Sequence, residues 1–593
     1  MASDKNGASQ RARERVQQVS SHIARGESTK DEVSQPPTRR RRKQASASAG
    51  PPADYSDRLG QIATLERLAR TPDINHRGYA RQKKAGKLWV RERVEALLDE
   101  GSLREIGSVA GDVTWSKEKG HDGSEKEVIT GFTPSNSVQG YGRLNGRKIV
   151  FTADDYTLRA GHADGALMEK TLYIEKLALS LRLPIVKLVD GSSGGGSVTT
   201  IRKGGFSYIP PLPAFEQVIA QLNLGIPNLG AVLGPAIGLG AARVTACHFS
   251  IMAANIGSLF NAGPQVVKGA TFEEGLTMAE LGGPDMHCRN GTIDNMARDE
   301  HDAFEQIRRV LGYLPNSGFS APPVIKSSDI PDRREEALRS LIPRRKERMY
   351  DPRRLVTLVV DNGSFFEIGA LWGTTAIVGL ARLDGHPIGI ISNNCESHTG
   401  GALDALGSQK ITKHLKLCDV MNVPILQFVD VPGYAVGTAA ERSATMRHGV
   451  NLAMAYYTTT MPVFSVVTRR AYGVAGGVML DCRDPRMRVA WPSGDWGSLP
   501  LKGGIEVGHS YELKEAARKG GQKLADELHA NLEAEYNTLM NPVRTANAFG
   551  VEQIIDPADT RPVVCNWISH VYEELMEERL SKRRAGTLHA SFA

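Results

Sequence analysis

Apolar residues in this chain collect in short unbroken runs, separated by longer stretches where they recur at helical spacing. The turn Arg143-Leu-Asn-Gly146 precedes the run Ile149 to Phe151, and Arg382-Leu-Asp-Gly385 precedes Ile388 to Ile391, 239 positions later. Leu183-Pro-Ile-Val-Lys-Leu-Val-Asp190 matches Val423-Pro-Ile-Leu-Gln-Phe-Val-Asp430 at an offset of 240. A lysine, Lys170 or Lys410, stands 14 positions before the proline in both. Ile226-Pro to Val232 and Met461-Pro to Val467 form a third pair, 235 apart. Upstream, Asp99-Glu-Gly-Ser102 with Glu105 recurs as Asp361-Asn-Gly-Ser364 with Glu367, offset by 262; the polar stretch around Ser116 to Glu127 accounts for the longer gap. Matches in one order at nearly one offset indicate an internal duplication.

Each copy reads as buried strand, helix, proline-initiated buried strand, glycine-rich turn, helix and buried strand. Strands that are apolar throughout and alternate with helices predict α/β sheets covered on both faces. The expected boundaries are a leader over 1–55, an N-terminal domain over 56–320, a charged linker over 321–345 and a C-terminal domain over 346–593.

Charge and cysteine usage narrow the class. The net charge is +7, but the first 55 residues hold 11 Lys/Arg against 6 Asp/Glu, so the remainder is nearly neutral and a nucleic-acid partner has no support. The leader carries Arg39 to Arg42 and Lys43 among Ser, Ala, Gly and Pro, with too little apolar surface to order it. It lacks the apolar core of a secretory signal, and Asp4, Glu14, Glu27, Asp31 and Glu32 are unlike a mitochondrial transit peptide. A cytoplasmic location is expected, with the mitochondrial matrix as the alternative. No apolar run is long enough to span a membrane. Cys247, Cys288, Cys395, Cys418, Cys482 and Cys565 are too dispersed for a zinc ribbon or a disulfide framework.

The candidate chemistry lies in the glycine turns. Asp190 leads into Gly191-Ser-Ser-Gly-Gly-Gly-Ser197, and Gly234-Pro-Ala-Ile-Gly-Leu-Gly240 opens a small-residue helix. In the second copy Asp430-Val-Pro-Gly433 runs to Gly437, and Tyr472-Gly-Val-Ala-Gly-Gly477 follows the run 463–467. Glycine lets backbone N–H groups approach a ligand, and at a helix start those groups are unpaired and point outward. Such turns suit an oxyanion. A flexible linker is the bland reading of the Gly191 to Ser197 run; its place after a buried strand argues against that. Zinc-binding and phosphate-loop motifs are missing, and His287-Cys288 and His448 read as structural. No metal site is expected.

These residues resemble the carboxyltransferase β chains of propionyl-CoA and 3-methylcrotonyl-CoA carboxylases over roughly 57–590. Gly86-Lys-Leu with Arg91-Glu-Arg93, Cys418 to Gly433, Gly437-Thr438, Arg447-His-Gly449, Thr468-Arg-Arg-Ala-Tyr-Gly473, Leu281 to Arg289 and Asp556 to Arg561 carry the likeness. The resemblance implies two tandem crotonase-like domains from the duplication. It implies CO2 transfer from carboxybiotin, carried on a biotin carboxylase/biotin carrier partner subunit, to an acyl-CoA through an enolate. Backbone N–H groups of Gly194 and Gly195 would hold the enolate with the helix at Gly238, Leu239 and Gly240. Val474 and Ala475 would hold the biotin ureido oxygen, beside Gly433, Tyr472 and Gly473. Gly477 would line the acyl pocket. A homo-oligomer, typically a hexamer, is implied as well. The sequence departs from the family where Asp190 to Gly196 lengthens a short turn and where Gly476-Gly477 replaces Tyr-Asp. It departs again where Gly497 to Gly504 replaces the usual segment after Trp-Pro. A biotin-dependent acyl-CoA decarboxylase and a non-catalytic assembly subunit are the alternatives.

Overall fold

The computed structural model describes residues 54–593, apart from 120–124, 163–164, 166, 192–200, 203, 208, 210–211, 346, 481–482 and 484–485. The chain divides into two compact units. The smaller takes in residues up to Leu68 with Val113–Phe132. It holds most of the helix Ser56–Arg70 and most of a two-stranded ribbon from Gly111–Lys119 and Glu125–Pro134. The polar insertion that lengthens the first repeat is therefore this ribbon.

The larger unit contains two sheets of the same plan. The first is built from β1 (Arg104–Glu105), β2 (Ser137–Leu144), β3 (Arg147–Asp154), β4 (Ile185–Gly191), β5 (Asn228–Ile237), β6 (Phe249–Ala253), β7 (Ser258–Phe260) and β8 (Asn295–Ala297). Its order is β1-β2-β3-β4-β5-β6-β8, with β7 paired to β5. The second is built from β9 (Phe366–Ile368), β10 (Ala376–Leu383), β11 (His386–Asn393), β12 (Ile425–Val431), β13 (Val463–Tyr472), β14 (Arg488–Ala490) and β15 (Asp495–Gly497). Its order is β9-β10-β11-β12-β13-β14, with β15 paired to β13. In each, the first three strands run antiparallel and the rest parallel. Every residue of β4 and β12 is buried, as expected for strands covered on both faces.

The repeated polar residues are the joints of this plan. Asn145-Gly146 and Asp384-Gly385 all have positive φ and make the tight hairpin turns β2–β3 and β10–β11. The Asp99 carboxylate accepts both N–H groups of the first turn (2.9 and 2.7 Å), and Asp361 does the same for the second (2.9 and 2.8 Å). Glu105 pairs with Arg91 and Glu367 with Arg353. The repeated lysines lie inside helices α2 (Met168–Leu181) and α7 (Ala405–Val420). Lys170 donates to the carbonyls of Gly107 and Ser137, and Lys410 to those of Gly369, Trp372 and Ala376. Burial lowers both ammonium groups to about 8. Each lysine thus satisfies the loose carbonyls where the first strand meets the second.

One apolar cluster runs through both sheets, taking in Phe151, Leu188 and Leu229 from the first and Leu380, Ile425 and Val429 from the second. Phe249 and Phe366 meet edge-on across it, ring centres 5.8 Å apart. The second sheet's outer face has a separate cluster around Ile388, Phe428 and Trp491. Among the described residues no helix is long and apolar enough to cross a membrane.

Candidate active site

The ends of the central strands carry the site. Along β4 and β5 the register passes from Val189↔Val232 to Gly191↔Ala236, so Leu233, Gly234 and Pro235 stand opposite the single residue Asp190. Along β12 and β13 it passes from Val429↔Val467 to Val431↔Ala471, so Thr468, Arg469 and Arg470 stand opposite Asp430. Both copies bulge at the same place.

Both aspartates are buried, at 0% and 1% exposure, and each has cations in contact. Helix α1 (Val90–Leu97) brings Arg93 to Asp190 at 2.7 Å, and Lys87, just ahead of that helix, lies at 2.6 Å. Arg93 also reaches Glu300 at 2.6 Å and donates to the Leu233 carbonyl at 2.8 Å. Burial depresses the Lys87 ammonium, against the pull of Asp190. Asp430 instead takes its cations from the bulge itself, Arg469 and Arg470, each at 2.7 Å. Burial acts to raise the Asp430 carboxyl, and the two arginines outweigh it and hold it below the ordinary range. Sequence reading placed Lys87, Arg93, Arg469 and Arg470 inside matching blocks without giving them work. The signal available was an aspartate repeated at one position in two buried strands.

Past each bulge the strand feeds a short helix. Helix α3 (Phe215–Asn223) precedes β5, and α4 (Leu239–Thr245) follows it, with Gly238 as N-cap at φ 56°. Gly238 is exposed, Leu239 half-buried and Gly240 buried. Helix α5 (Glu300–Tyr313) closes the first sheet, α6 (Pro352–Val359) opens the second, and α8 (Thr445–Thr458) precedes β13. Helix α9 (Gly473–Met479) follows β13, with Tyr472 as N-cap. Among the described residues neither α4 nor α9 has a side-chain cap, and the first-turn N–H groups of a helix have no partner within the helix itself.

The predicted residues fall as follows. Val474 and Gly477 lie on the exposed face of α9, and Ala475 and Gly476 on its buried face. Tyr472 is 2% exposed and its hydroxyl bonds to Asp495, so any contribution it makes to a ligand is through its backbone. Gly433, at φ 132°, lies in the loop after β12, its carbonyl accepting the Leu403 N–H at 3.0 Å. Gly194 and Gly195 lie outside the described residues. A methyl group added at Gly477 meets nothing within 4 Å, whereas one at Gly476 lies 2.6 Å from the Ala471 backbone. Helix α9 therefore sits too close to its strand for a side chain at 476 and leaves room at 477.

Beneath the start of α4 is a cavity of about 80 Å³ lined by Leu239, Arg243, Met168, Phe215, Val218 and Glu175, among others. Its polar side is internally paired. Arg243 lies 3.0 Å from Asp154, and Glu175 lies 3.1 Å from Lys187 and accepts from Gln221. His287 and Cys288 are structural. The His287 ring meets the Leu259 carbonyl at 2.6 Å, and burial pushes the Cys288 thiol up to about 12.

Comparison with known proteins agrees with this architecture. The family model described as the carboxyl transferase domain matches residues 81–585. The chain is 30% identical over 485 residues to a propionyl-CoA carboxylase carboxyltransferase subunit of Haloferax mediterranei, covering 81% of this chain and 90% of that one. It is 30% identical to the methylmalonyl-CoA decarboxylase subunit alpha of Veillonella parvula, covering 82% and 90%. The crystal structure of the transcarboxylase 12S hexamer with hydrolysed methylmalonyl-coenzyme A bound superposes with a TM-score of 0.75 at 27% identity, covering 88% of this chain and 97% of that one. Two sheets of one plan and a family match across most of the chain lead to one conclusion: the chain belongs to the carboxyl transferase domain family.

Proposed function

We propose that this chain is the carboxyltransferase subunit of a biotin-dependent acyl-CoA carboxylase, acting with a biotin-carrying partner subunit in the cytoplasm. The observation that carries the reading is the repetition. Each sheet ends in the same bulge and the same uncapped helix start, which gives one chain two sets of outward N–H groups. A transfer that passes through two anionic oxygens, an enolate and a ureido oxygen, needs two such sets. Bound carboxybiotin supplies the CO2 and, at its ureido nitrogen, the base. The chain's own part is to hold and orient. Gly238, Leu239 and Gly240 hold the thioester oxygen, a role the resemblance also gives to Gly194 and Gly195, and the N–H groups of Val474 and Ala475 hold the ureido oxygen. The open, uncharged surface at Gly473, Val474 and Gly477 accommodates a flat, polar ring.

Self-association is part of the reading. Met446, Val450, Met454 and Tyr457 form an exposed apolar stripe along α8, at 55%, 40%, 58% and 67% exposure. The likeness to a decarboxylase subunit favours a second reading, the same holes run in reverse. Biotin-dependent CO2 release from a malonyl-type CoA ester is common to both readings; with the biotinylated partner, ATP-dependent carboxylation of an acyl-CoA identifies the first, and its absence while that release persists identifies the second.

The acyl group is expected to be larger than propionyl, branched or of medium length. Gly477 removes both the volume and the charge of the aspartate found in relatives that select short acyl groups, and a carboxylate that a bound acyl chain desolvates disfavours apolar chains. An extra methylene against an apolar wall gains about 0.8 kcal/mol, and pockets discriminate by about 1–3 kcal/mol per methylene. Across an acetyl to octanoyl and methylcrotonyl series, kcat/KM should peak above propionyl. Gly477→Asp should move the peak to shorter chains. A peak at acetyl or propionyl that the substitution leaves unmoved contradicts this assignment.

A further inference from the structure

We propose that Asp430 and Asp190 are positioning residues that pin the strand bulges and so aim the first-turn N–H groups of α9 and α4; this rests on the reading of those helix starts as oxyanion holes.

The two copies arrive at the same result by different routes. In the second, Arg469 and Arg470 belong to the bulge and hold Asp430 through their guanidinium groups, and the Arg470 N–H adds a bond at 3.2 Å. The Thr468 hydroxyl ties the same bulge to the Val429 carbonyl at 3.1 Å. In the first copy, Gly234 occupies the place of Arg469. A Cβ there would lie 1.9 Å from Asp190 Oδ1 and 2.4 Å from Lys87 Nζ. The glycine leaves the space through which Lys87 and Arg93 reach Asp190, and Arg93 completes the link by bonding the bulge carbonyl of Leu233. Asp190 Oδ2 takes these cations, while the buried Oδ1 has no hydrogen-bond partner among the described residues and lies against Gly234.

The opposite strand is anchored from its other side as well. The Asp190 N–H donates to Asp154 at 3.3 Å and the Asp430 N–H to Asn393 at 3.0 Å. Beyond each bulge the strand re-pairs at Ala236 or Ala471 and then ends at the helix N-cap, Gly238 or Tyr472. With so little chain between bulge and helix, a shift of the bulge moves the helix start. Both carboxylates are sealed from solvent, so they act through the backbone and not on substrate. A hole misplaced by an ångström loses much of its effect on the reaction, because its donors must meet the oxyanion at hydrogen-bonding distance.

The test separates the two holes. Carboxyl transfer from a malonyl-type CoA ester to free biotin is measured with both substrates varied, for Asp430→Asn and Asp190→Asn. Asp430→Asn should raise KM for biotin or lower kcat by about 10-fold or more, leaving the CoA-ester Kd within about 2-fold. Asp190→Asn should weaken CoA-ester binding or lower kcat with the biotin KM unmoved. Arg469→Lys should keep more kcat than Arg469→Met at equal Tm, since it retains the charge. Hydrogen exchange over 468–480 should quicken in Asp430→Asn while β12 stays protected. If an Asn variant fails to fold, Arg470→Lys, whose guanidinium is partly exposed, is measured in its place. Loss of both affinities in step with Tm, or no change in either, overturns the proposal. An inactive wild type strikes the carboxyltransferase reading instead, and the exchange measurement then decides the positioning role alone.

Discussion

Val474→Pro is expected to lower carboxyl transfer by about 10²–10³-fold, the usual cost of removing one oxyanion-hole donor, or about 2.7–4 kcal/mol of barrier. Val474 sits in the first turn of α9 with its side chain 65% exposed. Proline is tolerated in a first turn because the N–H it removes has no partner within the helix. Val474→Ala removes the side chain and keeps the N–H, so it should stay near wild-type activity. Steady-state kinetics on both variants, with Tm as a folding control, checks the pair. Equal activity in the two variants would show that the Val474 N–H takes no part.

Arg93→Met is expected to destabilise the larger unit by about 3–5 kcal/mol, the range for breaking a buried ion pair by removing one partner. Arg93 is fully buried between Asp190 and Glu300, and among the described residues no other cation is ion-paired with both. Methionine fills much of the space but leaves two carboxylates under-compensated in a dry site. Arg93→Lys keeps one charge and loses the fork, so it should cost less. The midpoint of urea unfolding, at constant m, measures both. A loss under about 1 kcal/mol for Arg93→Met would mean that the cluster is not sealed from water.

Much of the fold was legible in the sequence because burial on both faces leaves a plain mark. Ile185 to Val189 and Ile425 to Val429 read as buried strands in sheets covered on both faces, and every residue of both runs is buried. The repeated Lys170 and Lys410 were visible as a spacing; that each satisfies carbonyls from a separate loop needed coordinates. The antiparallel hairpins went unread, although Asn145-Gly146 and Asp384-Gly385 between apolar runs are a strong hairpin signal.

The site was legible only as far as its local chemistry. The glycine-led helix starts at Gly238 and Gly473 follow from residue type and position after a strand. The Asp190 cluster does not, because Lys87, Arg93 and Glu300 are brought together by tertiary packing across large sequence separations. The duplication itself hides the relation. One copy has Gly234-Pro235 where the other has Arg469-Arg470, so aligning the repeats shows a mismatch where the structure has the same bulge. The segment 192–200, with Gly194 and Gly195, remains an assignment from resemblance.

The most direct test of the central claim is CO2 release from a malonyl-type CoA ester by the purified full chain, with and without free biotin. The account predicts release that saturates in both the ester and biotin and falls by about 10²–10³-fold in Val474→Pro. Release that does not depend on biotin, or none across the acyl series from a folded chain, would contradict it.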